Sequence, residues 1–130
     1  MLDKVRYWLN LADEDVLTTK ILLDGKRYLH AGFFCHLIAE KAIKAVIASK
    51  TDEIPPRIHD LKTLAKLSGF VEDLTEKQLY LLESLNPLQI EARYPEYKSR
   101  IAATLTFEKC EKLCNDVEAF LCWIKQRLGK

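Results

Sequence analysis

Three polar side chains follow one another at helical spacing inside an otherwise apolar stretch. His36, Glu40 and Lys44 lie at i, i+4 and i+8 in AGFFCHLIAEKAIKAVIAS, which spans residues 31–49. A helix would place them along one edge, with Glu40 before Lys44 in the favourable order for an ion pair and Lys41 beside them. If that edge faces a cleft, it can bind a charged ligand. If it faces water, it is the solvated side of a bundle helix, and both interpretations stay open.

Two further stretches contain residues suited to binding an anion. His59 follows Pro55 and Pro56 and opens a predicted helix, and helix N-termini favour anions. Arg93 and Tyr94 lie in LQIEARYPEYKSRIAAT, residues 88–104, where aromatic and basic residues alternate. That interleaving is typical of segments that stack a base or contact phosphate. The alternative is an ordered loop whose tyrosines pack on the protein.

The elements that position these residues are predicted to be helices. Apolar residues recur at helical spacing over residues 3–23, 28–49 and 107–128, and over two shorter segments that begin near His59 and at Thr75. Gly25 and Gly69 are expected to end the first and third helices in the left-handed conformation. Thr75, with Gln78 three residues later, predicts a capping box at the start of the fourth helix. Residues 88–104 are predicted to be irregular. The sequence therefore predicts one all-α domain over residues 1–130, an up-and-down helical bundle of about five helices, three long and two short.

Composition and charge give no support for a membrane-spanning protein or for a strongly basic nucleic-acid-binding protein. The 130 residues are 48% hydrophobic and 30% charged, which is typical of a globular domain, and the net charge of +1 gives no support for a strongly basic nucleic-acid surface. No apolar run is long enough to cross a bilayer, and the charged N-terminus does not resemble a signal peptide, so we expect a cytoplasmic protein.

The four cysteines, Cys35, Cys110, Cys114 and Cys122, all lie in predicted helices. We therefore expect them to be reduced and structural. Cys110 and Cys114 are one helical turn apart and could share a metal ion, but no histidine is near them in sequence. No metal or cofactor is predicted.

Four stretches in this order carry a family resemblance: an N-terminal helix with Trp8 and Asp15, then AGFFCHLIAEKAIKAVIA, PPRIHDL and ARYPEY. Together with a last helix that contains FLCWI, they resemble the HEPN domain of prokaryotes over nearly the whole chain. The resemblance implies a helical bundle that is usually a homodimer. It also implies a nucleotide-binding role and a minimal nucleotidyltransferase as partner, often in a toxin–antitoxin pair.

One departure from the family pattern favours one of two functions over the other. HEPN ribonucleases carry an arginine followed after four to six residues by a histidine. The arginine supplies a cation for the phosphate, and the histidine supplies a group for proton transfer. No arginine stands at that distance before His30, His36 or His59. The sequence therefore favours a non-catalytic nucleotide-binding or partner module. The alternative is a divergent ribonuclease toxin that acts on RNA.

The resemblance also implies that the family's motif positions lie near one cleft. The predicted ligand-binding residues are Glu40, Lys41, Lys44, His59, Arg93 and Tyr94. In such a cleft Lys44 and Arg93 would hold phosphate, His59 would donate a hydrogen bond, and Glu40 would orient the cations. The alternative is a buried ion-pair network that fixes the second helix against the tyrosine-containing segment.

Overall fold

The computed structural model describes residues 2–90 and 94–129. These residues form six α-helices and no strand, so the predicted all-α class is confirmed. Within the described residues, no helix is both long enough and apolar enough to cross a membrane. The helices are α1 (Leu2–Asp24), α2 (Tyr28–Lys50), α3 (Leu61–Ser68), α4 (Glu76–Leu85), α5 (Pro95–Thr104) and α6 (Phe107–Arg127), with 3-10 turns at Val71–Asp73 and Asn86–Leu88.

The second helix is the centre of the molecule. Most of its 23 residues are buried, because α1, α6 and α3 pack on different sides of it and α4 and α5 cover further parts. Its alanines, including Ala39, Ala42 and Ala45, are fully buried and let these neighbours approach closely. His36, Glu40 and Lys44 are also buried, so the polar edge of α2 is not a solvated face.

The turn between α1 and α2 ends the first helix where the sequence predicts, but through a different residue. Lys26 has a φ of 60° and takes the left-handed position, whereas Gly25 has no positive φ, so the expectation for Gly25 was wrong. Hydrogen bonds from Arg27 N to Leu22 O (2.8 Å) and from Lys26 N to Leu23 O (3.1 Å) close the turn. This is the Schellman arrangement, in which the residue after the C-cap is left-handed.

The two short helices predicted in the middle of the chain both form, and local hydrogen bonds define their ends. Asp60 caps α3 by accepting a hydrogen bond from Thr63 N, and Gly69 ends α3 with a φ of 81°. Thr75 and Gln78 form the predicted capping box of α4. These caps fix where α3 begins, and therefore where His59 and Asp60 lie relative to α2.

An additional helix, α5, lies in the stretch that was predicted to be irregular. Tyr94 is extended at its N-cap, and Pro95 is its first residue, a position that suits the fixed φ and missing N–H of proline. The prediction gave weight to the uneven apolar pattern and not to this start signal, so it missed the helix. Ile101 is buried and Tyr97 packs against the core, which holds α5 on the bundle.

Candidate functional site

The site begins with a buried ion pair on α2. Lys44 Nζ donates to Glu40 Oε2 at 2.9 Å, and the two residues are only 6% and 5% exposed. The ammonium also lies 5.5 Å from the centroid of the Trp8 ring on α1, within cation–π range. Lys44 is therefore paired with a carboxylate and enclosed, so little of its surface is open to a ligand.

Glu40 also binds the residue that precedes α3. The Nδ1 atom of His59 is 3.1 Å from Oε1 and 3.2 Å from Oε2 of Glu40. Since a carboxylate only accepts hydrogen bonds, His59 Nδ1 is the donor. The side chain of His59 is 54% exposed, whereas that of Glu40 is 7% exposed. The carboxylate thus holds an imidazole whose other side reaches the surface.

His36, on the buried side of His59, is the fourth member of the cluster. It is fully buried, and its Nε2 donates to the backbone carbonyl of His59 at 2.9 Å. Burial lowers the pKa of His36, although the nearby Glu40 charge works in the opposite direction. A neutral ring that donates from Nε2 has a bare Nδ1, which lies 3.5 Å from Glu40 Oε1 and has no hydrogen-bond partner among the described residues. His36 therefore positions the His59 backbone.

Beside His59 lies a cleft of about 150 Å³ that is lined by His59, Asp60, Asn86 and Gln89. Asp60 accepts from Thr63 N and Oγ1 and from Asn86 Nδ2, at 2.9, 2.7 and 2.9 Å. The hydrogen bonds from Thr63 are the main cause of the lowered pKa of Asp60, so its carboxyl is an anion at neutral pH. The cleft is therefore lined by hydrogen-bond donors and acceptors held in fixed positions, and its described lining includes no lysine or arginine.

Of the six predicted site residues, the structure brings Glu40, Lys44 and His59 together. Lys41 lies apart from them, because its Nζ donates to Asp15 on α1 at 2.5 Å. Tyr94 is 80% exposed at the start of α5. Arg93 lies outside the described residues. Among the described residues, no group of three His, Cys, Asp or Glu side chains is arranged to hold a metal ion.

Sequence reasoning missed Asn86, the cleft residue that ties α3 to the end of α4. Its Oδ1 accepts from Leu61 N at 2.9 Å while its Nδ2 donates to Asp60. Asn86 is 26 positions from Asp60 and stands before a proline, where an asparagine is commonly a turn residue. Nothing in the sequence distinguishes it from an ordinary turn residue.

The HEPN domain family matches residues 5–128, which is nearly the whole chain. The chain belongs to the HEPN family. No curated protein matches it. Two crystal structures resemble it: TT1696 from Thermus thermophilus, with a TM-score of 0.78, and ST0689, an archaeal HEPN homologue, with a TM-score of 0.66. Each is 21% identical, over 95% of this chain and 97% of the other, so the likeness concerns the fold.

The geometry links two of the motifs that carry the HEPN resemblance. Glu40 belongs to the AEKAIKA stretch on α2, and His59 belongs to HDL at the start of α3. Their hydrogen bond joins the two motifs directly. Of the third motif, ARYP, only Tyr94 and Pro95 lie within the described residues.

Proposed function

We propose that this HEPN protein is a non-catalytic binding module that binds a nucleotide in the cleft beside His59. The observation that carries the proposal is the half-exposed imidazole that Glu40 holds at the edge of a polar cleft. Nucleotide bases and ribose offer several donors and acceptors, which suit the side chains of His59, Asp60 and Asn86. The fixed polar groups of the cleft would orient the ligand, and its volume of about 150 Å³ would take one part of a nucleotide while the rest lies outside it.

The two neighbouring residues of the ARYP motif would complete such a site. Tyr94 offers an exposed ring on which a base could stack. Arg93, directly before it, would contact phosphate, since Lys44 is already paired with Glu40. This assignment keeps the predicted roles of His59 and Arg93 and changes that of Lys44, which becomes part of the support beneath His59.

The proposal includes a protein partner. As the HEPN resemblance implies, the partner would be a minimal nucleotidyltransferase, in a pair of the toxin–antitoxin kind, and the HEPN protein would be a cytoplasmic homodimer. Co-expression with a minimal nucleotidyltransferase from the same organism, followed by affinity purification, tests this part. Recovery of a stoichiometric complex is the expected result, and separate elution of the two proteins would contradict it.

Titration calorimetry with ATP tests the nucleotide site. We expect wild-type protein to bind, and His59→Ala and Arg93→Ala to lose affinity while their helical circular dichroism is unchanged. The matched control is His30→Ala, since His30 is an exposed histidine outside the cluster. Absence of any heat of binding to the wild-type protein would contradict the nucleotide proposal. Unfolding of Arg93→Ala would instead support a structural ion-pair role for that residue.

A second function has one specific observation in its favour. A carboxylate that holds Nδ1 of a half-exposed histidine is an arrangement that can orient a general acid or base. The divergent ribonuclease therefore stays an alternative, with His59 as its proton-transfer group. Incubation of purified protein with labelled RNA tests it. Cleavage that His59→Ala abolishes and His30→Ala retains would favour this alternative over the non-catalytic module.

A further inference from the structure

Three of the four cysteines meet where α2 packs against α6. The sulfur atoms of Cys35 on α2 and Cys114 on α6 are 3.5 Å apart. Cys110, one turn before Cys114, places its sulfur 3.5 Å from the carbonyl oxygen of Tyr28. Cys35 and Cys110 are fully buried, whereas Cys114 is partly exposed and Cys122 is exposed. The four thiols therefore differ in access and in neighbours.

Cys114 can be reached from solvent through a small cavity. A pocket of about 100 Å³ between α1 and α6 is lined by Cys114 together with Thr19 and Ile38. Lys20 and Glu118 also line it and form an ion pair at 3.3 Å. The side chains of this pair are 61% and 38% exposed, so it is a surface contact that can open readily. A molecule the size of a peroxide fits this space, and Cys114 is the cysteine that lines it.

Hydrogen bonding gives the two paired thiols different roles. The hydrogen bond between the two sulfurs favours a thiolate on Cys114 and lowers the pKa of Cys114, although burial and the charges of Glu118 and Glu111 oppose that shift. The same contact and burial raise the pKa of Cys35. Burial raises the pKa of Cys110 to about 11. Because the thiolate is the nucleophile, Cys114 is the more reactive member of this group.

We propose that Cys114 is a site of oxidation by peroxides and that Cys35 resolves the oxidised sulfur into a disulfide between α2 and α6. The Cys114 thiolate attacks one peroxide oxygen, the O–O bond breaks, and hydroxide leaves and takes up a proton. The product is a sulfenic acid on Cys114. The Cys35 sulfur then attacks the Cys114 sulfur, the S–O bond breaks, and water leaves with the proton of Cys35. In total two thiols lose two electrons and one peroxide becomes two waters.

The packing around Cys35 suits this second step. Ala31 and Ala39, one turn before and one turn after Cys35, are fully buried and small, so α6 can lie close to α2 at this position. The sulfurs must close from 3.5 Å to about 2.05 Å. Cys110 is less suited to resolve Cys114, because the two lie on the same helix one turn apart and Cys110 is engaged with Tyr28.

The test treats reduced, folded protein with hydrogen peroxide, blocks remaining thiols with an alkylating agent, and maps the peptides by mass spectrometry. We expect a linked peptide that joins Cys35 to Cys114, with two hydrogens lost, and its disappearance after a reducing agent. Cys114→Ser should abolish the link. Cys35→Ser should stop the reaction at the sulfenic acid, which dimedone labels on Cys114.

Two other cysteine variants are the matched controls for this test. Cys110→Ser and Cys122→Ser should both retain the link, since neither residue takes part. Cys35→Ala serves in place of Cys35→Ser if the buried hydroxyl disturbs the helical circular dichroism. Oxidation confined to the exposed Cys122, or a link that includes Cys110, would overturn the proposal. So would dimedone labelling of Cys114 in the wild-type protein without formation of the Cys35–Cys114 link.

Discussion

The carboxylate of Glu40 brings a negative charge into the interior, and two side chains meet it there. Lys44 forms a buried ion pair with one oxygen, and His59 donates to both. A buried ion pair gains little in total, because desolvation of the two charges offsets their attraction, but removal of one partner leaves the other unpaired. The cluster therefore has a structural role whatever ligand the cleft takes.

Glu40→Gln tests this role. The variant keeps the shape of the side chain but leaves Lys44 buried without a counter-charge, so we expect the free energy of unfolding to fall by about 3–5 kcal/mol. Urea denaturation measures the change. Asp116→Asn is the control, because Asp116 pairs at the same spacing with Lys112, whose side chain is 71% exposed. We expect a loss of about 0.5 kcal/mol or less there. Equal losses in both variants would contradict the buried role.

The pKa of His36 gives the protein a predicted pH dependence. Burial lowers the pKa of the folded-state imidazole below its ordinary value of 6.5, so between the two pKa values the unfolded chain binds more protons. Stability is then fully present above about pH 6.5 and falls as pH drops below it. Urea midpoints at about pH 7.5 and about pH 5.5 measure this difference. His36→Gln should reduce the difference and His30→Gln should leave it unchanged. An equal pH difference in the wild-type protein and His36→Gln would show that other groups cause it.

At the scale of helices, the boundaries that were predicted correctly are ones set by residues close together in the sequence. The Thr75–Gln78 capping box and the left-handed Gly69 were predicted from residue types alone and are confirmed. The start of α5 was just as local, since Pro95 marks it, but the uneven apolar pattern hid that helix. The left-handed Lys26 could not be predicted, because the neighbouring glycine is the residue that normally takes that conformation.

The apolar spacing of the last helix predicts that Leu121 and Ile124 are buried, and this is confirmed. Leu121 and Ile124 are 2% and 0% exposed on α6. We expect Leu121→Ala to lower the free energy of unfolding by about 2–5 kcal/mol, because the deletion leaves a cavity in a packed core. Thermal or urea unfolding measures it. Leu67→Ala on α3 is the control, since Leu67 is 55% exposed, and its effect should be about 0.5 kcal/mol or less. An unchanged stability of Leu121→Ala would contradict the assigned face.

At the scale of the whole molecule, the candidate site was harder to predict than the fold. Helical spacing makes Glu40 and Lys44 neighbours, and that pair forms. The contact of Glu40 with His59 spans 19 positions and depends on how α3 packs against α2, so spacing could not reveal it. The family resemblance indicated that these positions lie near each other. It did not indicate that Lys41 would bind Asp15 on α1 instead.

The outer face of α1 carries apolar side chains that stay exposed among the described residues. Tyr7, Leu17 and Ile21 are 58%, 59% and 71% exposed, and their spacing places them along one side of the helix. A two-fold axis beside this face would pack each α1 against its copy, because an isologous interface uses the same patch on both subunits. The face is therefore the surface that we expect to form the predicted homodimer.

Sedimentation measures this assembly, with an expected mass of twice 15.0 kDa at micromolar concentration. Ile21→Glu should shift the protein toward the monomer, since burial would place two like charges close together across the two-fold axis. Leu67→Glu is the control: Leu67 is also exposed, but it lies on α3, and the charge there should leave the mass unchanged. A wild-type species near 15.0 kDa alone would exclude the dimer. A dimer that persists in Ile21→Glu would place the interface on another face.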